Sequence, residues 1–317
     1  MKIVILEGHA VNPGDLSWEV LNEFGEITVY DRTAPEEAAA RIGDAEIVLI
    51  NKTPVTAELL DACPSVRLIC VLATGYNVVD CCAAKERGVL VCNVPAYGTN
   101  AVAQFTFALL LELCHQAGVH SQAVHRGDWS RCPDFCFWYT KQTELVGKTI
   151  GIIGFGRIGQ AVGKIAKAFG MNVLAYNRSI SESGKSIARY VSLDELLKQS
   201  DIISLHCPMT PETGKLINRQ SIGKMKDGAM LLNTARGGLI DEEALALALA
   251  TGKISGYAAD VVSVEPISPS NPLLNTPNTI LTPHMAWAPV ESRQRIIDCT
   301  ANSIRGYLKG NPVNTVY

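Results

Sequence analysis

Hydrophobic residues recur in short uninterrupted runs along the first third of the chain. The runs are KIVIL, ITVYD, AEIVLIN, RLICVLA and VLVCNV, and helical patterns such as APEEAAARIG and DCCAAKERG lie between them. Continuous apolar runs are typical of parallel strands that are covered on both faces. The alternation of such strands with helices predicts a doubly wound α/β domain.

A long segment then interrupts this alternation. Residues 97–129 carry a mainly apolar face without a strand pattern, and they predict one long helix. A second series of strand patterns follows it: KTIGIIG, NVLAY, DIISLH, AMLLNTA, SGYAADV and TILTPH, with helical patterns among them. The sequence therefore predicts a second α/β domain with a parallel sheet.

The last periodic segment, residues 291–309, predicts a helix with no strand after it. Such a helix is best accommodated if the chain returns to the first domain, and Gly and Pro near residues 97–98 and 288–289 favour the two crossings. We expect a substrate domain of residues 1–97 plus 289–317, flavodoxin-like, and a Rossmann dinucleotide-binding domain of residues 98–288. The ligand site is expected in the cleft between them.

Composition narrows the possible partners. The formal net charge of -3 creates no field that attracts nucleic acid or an anionic membrane surface. No apolar run reaches the roughly 18 residues of a membrane span, and MKIVILEGHA enters a strand without the apolar core of a signal peptide. The ten cysteines show neither a disulfide framework nor paired CxxC motifs with zinc spacing, so we expect no metal site and a reducing cytoplasmic location.

A glycine fingerprint marks the second domain. Gly154, Gly156 and Gly159 form a GxGxxG motif that follows an apolar run and opens a helical pattern. In this setting the glycines permit a tight turn, close approach of a pyrophosphate and helix–strand contact, respectively. The N-terminus of the helix offers unbonded N–H groups to the anion. The motif predicts a dinucleotide site.

The residue that usually selects between dinucleotides is altered. An acid commonly closes the second strand and binds the ribose 2'-hydroxyl, but Asn177 stands there, followed by Arg178 and Ser179. Asn does not repel a 2'-phosphate, and Arg178 can clamp one through two hydrogen bonds. Alternatively, Arg178 is a solvated loop residue. These residues favour NADP(H) without excluding NAD(H).

Three strand-end segments toward the C-terminus carry reactive side chains. They are LLNTARGGLID with Arg236, YAADVVSVEP with Glu265, and ILTPHMAWAP with His284. Reduction of a 2-keto acid needs a proton donor that titrates near neutral pH, a carboxylate beside it, and an Arg for the substrate carboxylate. Each residue alone has a structural alternative, but all three on loops of one dinucleotide domain predict a hydride-transfer site.

These motifs carry a resemblance. GIIGFGRIGQAV, LHCPMTPETGKLIN, LLNTARGGLIDEEAL, ADVVSVEP and NTILTPHMAWAPVESR together resemble the D-isomer-specific 2-hydroxyacid dehydrogenase family over essentially the whole chain. VLATGYNVVD, NVPAYGTNAVAQFTFALLLELC and PDFCFW are most similar to its glycerate dehydrogenase, or hydroxypyruvate reductase, members. Asn177 and Arg178 depart from the Asp of NAD-preferring members.

The resemblance implies residue roles. Arg236, Glu265 and His284 would be catalytic, Asp260 would contact the nicotinamide amide, and backbone groups of Thr74 and Gly75 would bind the substrate carboxylate. A homodimer built around the helix near residues 100–125 is also implied. The remaining residues expected to contact the cofactor are Arg157, Ile158, Cys207, Pro208, Thr213, Thr234 and Ala235.

The expected reaction is the reduction of hydroxypyruvate to D-glycerate by NAD(P)H, and also of glyoxylate to glycolate, with His284 as proton donor. One alternative is a dehydrogenase for another D-2-hydroxy acid, such as 3-phosphoglycerate or D-lactate. A second alternative is a nicotinamide-sensing binding protein similar to the C-terminal-binding co-repressors, which share this fold. Turnover of hydroxypyruvate separates an enzyme from a sensor.

Overall fold

The computed structural model describes residues 1–317. The strands, in chain order, are β1 (Lys2–Ile5), β2 (Glu26–Val29), β3 (Ile47–Ile50), β4 (Leu68–Val71), β5 (Leu90–Cys92), β6 (Thr149–Ile153), β7 (Asn172–Tyr176), β8 (Arg189–Tyr190), β9 (Ile202–Leu205), β10 (Ala229–Asn233), β11 (Ile254–Ala259) and β12 (Thr279–Leu281).

The α-helices, in chain order, are α1 (Gly8–Val11), α2 (Ala38–Ile42), α3 (Ala57–Ala62), α4 (Cys81–Glu86), α5 (Thr99–His115), α6 (Ala117–His125), α7 (Arg157–Ala168), α8 (Glu182–Lys185), α9 (Leu193–Gln199), α10 (Arg219–Lys224), α11 (Glu242–Ala250) and α12 (Val290–Leu308). Short 3-10 helices cover Glu19–Phe24, Pro35–Glu37, Gly237–Leu239 and Pro272–Asn275. Side chains that accept the first backbone N–H groups, such as Asp80 for α4 and Ser192 for α9, fix several helix starts.

The chain divides into two compact units. The first comprises Met1–Gly98 and Trp287–Tyr317, and its five strands are all parallel in the order β2-β1-β3-β4-β5. This is the flavodoxin-like order. All residues of β3 and β4 are buried, as expected for strands that are covered on both faces. The predicted last helix is confirmed as α12, and its residues Ile296 and Ile304 pack in one core with Ile5 and Leu49.

The second unit, Thr99–Ala286, contains a parallel sheet of seven strands in the order β12-β11-β10-β9-β6-β7-β8. The strand order reverses beside β6, as in a Rossmann fold. Successive residues of the strands point to opposite faces. Ile150 and Ile152 accordingly lie in one core with α5 and α7, while Ile153 and Leu174 lie in another with α9, α10 and α11.

The predicted fold class, two doubly wound parallel sheets, is therefore confirmed. Each of the eleven strand patterns singled out in the sequence contains a strand. The sequence missed β8, because two residues at the sheet edge are too few to form a hydrophobic pattern.

The prediction of one long helix over residues 97–129 is wrong. The segment forms α5 and α6, which are bent by 57° relative to each other. Gln116, between them, adopts the left-handed conformation at φ 46°, and the Cys114 carbonyl accepts a hydrogen bond at 3.2 Å from the N–H of Thr143 rather than from the next helical turn. No single helix has the length and apolar composition to cross a membrane, while α5 and α6 pass that test only as a bent pair.

Candidate active site

The glycine motif forms the turn from β6 to α7, and its three glycines face different surroundings. Gly154 has φ +91°, and a Cβ there would lie 2.3 Å from the backbone nitrogen of Cys207. A Cβ on Gly159 would lie 2.2 Å from the Gly154 carbonyl oxygen, so this glycine lets α7 approach the turn. A Cβ on Gly156 would meet no atom within 4 Å. The turn thus leaves open space at the start of α7, and Arg157 and Ile158 form its first turn, which fits a pyrophosphate.

The position after β7 is built around Asn177. Its Oδ1 accepts the N–H of Phe155 at 3.2 Å, and its Nδ2 donates to the carbonyl of Ser179 at 2.8 Å. Asn177 therefore joins the glycine turn to its own loop, a role that the sequence analysis did not assign. Arg178 and Ser179 are exposed, which leaves their side chains accessible to a ligand.

An acidic neighbour of Arg178 lies in the loop after β9. The hydroxyl of Thr210 donates to the carboxylate of Glu212 at 2.6 Å. This hydrogen bond and, to a smaller extent, the positive charge of Arg178 keep the pKa of Glu212 below its ordinary value. Nothing in the local sequence points to Glu212, because the residue is far from Arg178 along the chain.

The same loop is ordered by its own polar groups. The hydroxyl of Thr213 accepts the N–H of Thr210 at 2.7 Å and donates to the carbonyl of Pro208 at 2.8 Å. His206 precedes Cys207 at the end of β9, and its Nε2 lies 2.8 Å from the Ser204 hydroxyl. Burial lowers the pKa of His206 to about 3. His206 is therefore neutral near pH 7 and cannot supply a proton there.

Arg236 lies on the loop after β10, which a buried amide shapes. Asn233 accepts the N–H of Ala235 at 3.0 Å and donates to the carbonyl of Arg236 at 2.9 Å. The Thr234 hydroxyl lies 3.0 Å from that of Thr106 in α5. The Arg236 side chain is exposed, with one guanidinium nitrogen bonded to the Ala235 carbonyl at 2.7 Å.

An acid–base pair follows β11 and β12. The Oε2 of Glu265 lies 2.6 Å from the Nδ1 of His284, and Oε1 accepts the N–H of Val262 at 3.2 Å. About a third of each side chain of the pair is exposed, 37% for Glu265 and 34% for His284. A carboxylate at Nδ1 fixes the orientation of the imidazole, and histidine is the side chain best suited to proton transfer near neutral pH.

Asp260 orders the loop that carries His284. Its carboxylate is buried and accepts hydrogen bonds from the Thr282 hydroxyl at 2.6 Å, the Met285 N–H at 2.8 Å and the Ala286 N–H at 2.7 Å. The donors flank His284, whose backbone has φ 54°. The resemblance implied only a cofactor contact for Asp260, and its role in ordering the loop has no local signature in the sequence.

Thr74 and Gly75 belong to the first unit, in the loop after β4. The Thr74 hydroxyl donates to the carbonyl of Val94 at 2.8 Å, and the Thr74 carbonyl accepts from the Asn93 side chain at 2.7 Å. The N–H groups of Thr74 and Gly75 donate to no acceptor in the chain. A loop with bonded carbonyls and unbonded N–H groups suits an anion.

The second unit thus joins an open pyrophosphate turn to an acid–base pair, with Arg236, Glu265 and His284 following three adjacent strands. This combination defines the class of dehydrogenases that use a nicotinamide dinucleotide.

Comparison with known proteins specifies the family. Residues 107–286 match the family model described as "D-isomer specific 2-hydroxyacid dehydrogenase, NAD binding domain". The chain belongs to the D-isomer specific 2-hydroxyacid dehydrogenase family, and it is an enzyme of that type.

Similar proteins align over the whole chain. A hydroxypyruvate reductase of Blautia hydrogenotrophica is 54% identical, with 100% of this chain and 99% of the relative covered. A glycerate dehydrogenase of Methylorubrum extorquens is 39% identical over 99% of this chain and 98% of its own. The crystal structure of the TT0316 protein from Thermus thermophilus superimposes with a TM-score of 0.88 at 34% identity, with both chains fully covered.

Proposed function

We propose that this enzyme reduces hydroxypyruvate to D-glycerate with NAD(P)H, and glyoxylate to glycolate as a second reaction. The observation that carries the substrate assignment is the 54% identity, over the full chain, to the hydroxypyruvate reductase of Blautia hydrogenotrophica. The hydrogen-bonded pair of Glu265 and His284 supports the reduction step, because an imidazole held by a carboxylate can donate the proton that the carbonyl oxygen needs.

His284 is the proton donor in this proposal. The bound reduced nicotinamide supplies the hydride to the carbonyl carbon of the substrate. Because Glu265 holds Nδ1 at 2.6 Å, Nε2 is the ring nitrogen that gives its proton to the carbonyl oxygen. The carboxylate of Glu265 fixes the orientation of the ring through its hydrogen bond to Nδ1.

The substrate carboxylate needs placed donors. We assign it to the guanidinium of Arg236 and to the N–H groups of Thr74 and Gly75. The exposure of Arg236 and the unbonded state of the two N–H groups support this assignment. An Arg near the carboxylate also polarises the adjacent carbonyl and holds its carbon in position for attack.

We propose NADP(H) as the preferred cofactor, by a modest margin. Asn177 brings no negative charge against a 2'-phosphate, and Arg178 and Ser179 are exposed donors beside it. Glu212 limits the margin, because its carboxylate attracts the same guanidinium. Asp260, with Cys207, Pro208, Thr213, Thr234 and Ala235, keeps its predicted place around the cofactor in this proposal.

Substitution of Arg178 tests the preference. We expect Arg178→Ala to raise KM for NADPH far more than KM for NADH, and Glu212→Gln to lower KM for NADPH. Both follow from the attraction between the guanidinium and a phosphate dianion. Equal effects of Arg178→Ala on the two cofactors would remove Arg178 from the site.

We also propose a homodimer that uses α5, α6 and the loop after them. Large apolar side chains are exposed along this stretch, as is typical of protein interfaces. They are Val119, Val124, Trp129, Phe135 and Trp138. Sedimentation equilibrium of the wild type and of Val124→Glu checks the proposal, which predicts a dimer that the charged side chain weakens.

The ten free cysteines suit the proposed cytoplasmic location.

The deciding experiment measures initial rates with hydroxypyruvate, glyoxylate and pyruvate, each with NADH and NADPH. We expect the highest kcat/KM with hydroxypyruvate. If pyruvate were much the best substrate with either cofactor, the assignment to glycerate formation would be wrong.

A further inference from the structure

The sheet of the first unit has a switch point, where the strand order reverses between β1 and β3. In doubly wound sheets, ligands bind in the crevice beyond the carboxyl ends of the strands at this point. Here Glu7, two residues after β1, lies in that position. Its Oε2 accepts the N–H groups of Asn51, Lys52 and Thr53, each at 2.8 Å. Three consecutive N–H groups that converge on one oxygen form an anion nest, and the chain's own carboxylate fills it.

The nest is connected to the neighbouring loop by a side chain. Asn51 is 7% exposed, and its Nδ2 donates to the carbonyl of Leu72 at 3.1 Å. Leu72 immediately precedes the loop with Thr74 and Gly75. Glu7 thus holds the backbone of Asn51, and the side chain of Asn51 in turn holds the start of this loop.

The first residues of the loop itself are held by different groups. The carbonyl of Ala73 accepts the N–H of Val94 at 3.0 Å, and that of Thr74 accepts the Asn93 side chain at 2.7 Å. Bonded carbonyls on consecutive residues restrict the orientation of the peptide planes. The N–H groups of the loop then keep one direction without a bond of their own.

We infer that Glu7 and Asn51 are positioning residues for the substrate carboxylate. Glu7 orders the loop after β3, Asn51 transmits that order to the loop after β4, and the N–H groups of Thr74 and Gly75 are thereby presented to the anion. This inference rests on the proposed function for the role of Thr74 and Gly75. It predicts that loss of Glu7 weakens substrate binding while proton transfer by His284 is retained.

Two variants test the inference. Glu7→Ala removes the acceptor, and Glu7→Gln keeps an oxygen in place but removes its charge. Glu86→Gln, an exposed carboxylate on α4 without a hydrogen bond or ion pair, is the matched control. For the 2-keto acid that the wild type reduces best, we expect KM to rise about tenfold or more in Glu7→Ala and less in Glu7→Gln. kcat and the Kd of the reduced cofactor should stay within about twofold, because a lost ground-state contact acts on KM.

Hydrogen exchange gives a readout that does not need activity. In Glu7→Ala, amide exchange should accelerate at residues 51–53 and at Leu72 and Val94, while residues 149–160 keep the wild-type rates. The N–H groups of Leu72 and Val94 donate to the carbonyls of Ile50 and Ala73, so these two amides report the order of the loop after β4. Faster exchange at both loops together with a raised KM supports the inference. Faster exchange at residues 51–53 alone, or an unchanged KM in a folded Glu7→Ala, overturns it. A wild type that reduces none of the 2-keto acids refutes the proposed function instead. Even then, unchanged exchange at Leu72 and Val94 in Glu7→Ala would refute the connection between the two loops.

Discussion

Two carboxylates occupy equivalent places in the two units but order loops with different tasks. Asp260 follows β11 and accepts three hydrogen bonds from the loop after β12, the neighbouring strand. Glu7 follows β1 and accepts three from the loop after β3, also a neighbouring strand. Asp260 shares its donors between two oxygens in the protein interior, whereas Glu7 gathers its donors on one oxygen of a partly exposed side chain.

The comparison shows how a parallel sheet prepares its ligand edge. Loops at the carboxyl ends of strands have N–H groups without a ladder partner, and buried N–H groups need an acceptor. A carboxylate satisfies several at once, with hydrogen bonds to charged groups contributing about 1.5–3 kcal/mol each. In the second unit the ordered loop carries His284, so the carboxylate should control kcat. In the first it connects to Thr74 and Gly75, so the carboxylate should control KM.

The largest expected effect is that of His284→Gln. A variant that only disturbs the loop around His284 should lower kcat by no more than this substitution does. Removal of a placed proton donor should lower kcat by about 10²–10⁴, with little change in cofactor Kd. Steady-state kinetics and fluorescence titration measure the two quantities, and His115→Gln, exposed at the end of α5, is the control. A loss of kcat below about tenfold would exclude His284 as the proton donor.

Asp260→Asn tests the second-unit side of the comparison directly. An amide has one oxygen where the carboxylate has two, so one N–H of the loop after β12 loses its acceptor, which costs about 1–3 kcal/mol. We expect kcat to fall about tenfold, which corresponds to about 1.4 kcal/mol, and Tm to fall, with a smaller change in KM for the substrate. If Asp260→Asn mainly lowers kcat while Glu7→Ala mainly raises KM, the two carboxylates act on different steps, as the comparison states. If both variants change the same parameter, the comparison is wrong.

Gly156→Ala tests the glycine turn between β6 and α7, which lies at the same edge of the second sheet but is not ordered by a carboxylate. A Cβ there meets no protein atom within 4 Å, so Tm should be unchanged. The methyl group would occupy the space assigned to the pyrophosphate, and we expect cofactor Kd to rise about tenfold, or about 1.4 kcal/mol. Gly223→Ala is matched, because its Cβ also meets nothing. Unchanged cofactor affinity in Gly156→Ala would contradict the phosphate assignment.

The last prediction concerns the stability of the fold rather than catalysis, and it is made for His206, which lies at the same edge as Asp260. The folded unit lowers its pKa from 6.5 to about 3. Below pH 6.5 the unfolded chain takes up the proton first, so this contribution to stability is complete above pH 6.5 and declines toward pH 3. At pH 5 the loss is at most about 2 kcal/mol. In urea unfolding, His206→Gln should lose less stability than wild type between pH 7 and pH 5, and equal losses would exclude this burial effect.

Local sequence predicted the parts of the site that depend on a single residue type. Gly154 needs positive φ, and Gly159 permits close packing, so their spacing after an apolar strand was sufficient. Glu265 and His284 were expected together because both follow strands of one sheet, and the structure places them 2.6 Å apart. Turns, strand burial and chemical type are local properties of the chain, so the sequence alone carries them.

Contacts distant in sequence were decided only by the tertiary structure. Glu7 meets residues 44–46 positions away, and Asp260 meets residues 22–26 positions away. Which loop each carboxylate reaches depends on which strands are neighbours and on their register. The break at Gln116 likewise lies beside a contact distant in sequence, between the Thr143 N–H and the Cys114 carbonyl. Sequence by itself determined the two doubly wound sheets and the glycine turn of the dinucleotide-binding domain, because strand burial and turns leave local patterns in the sequence. Only the tertiary structure decided which groups hold the loops, because hydrogen bonds between distant residues leave no local pattern in the sequence.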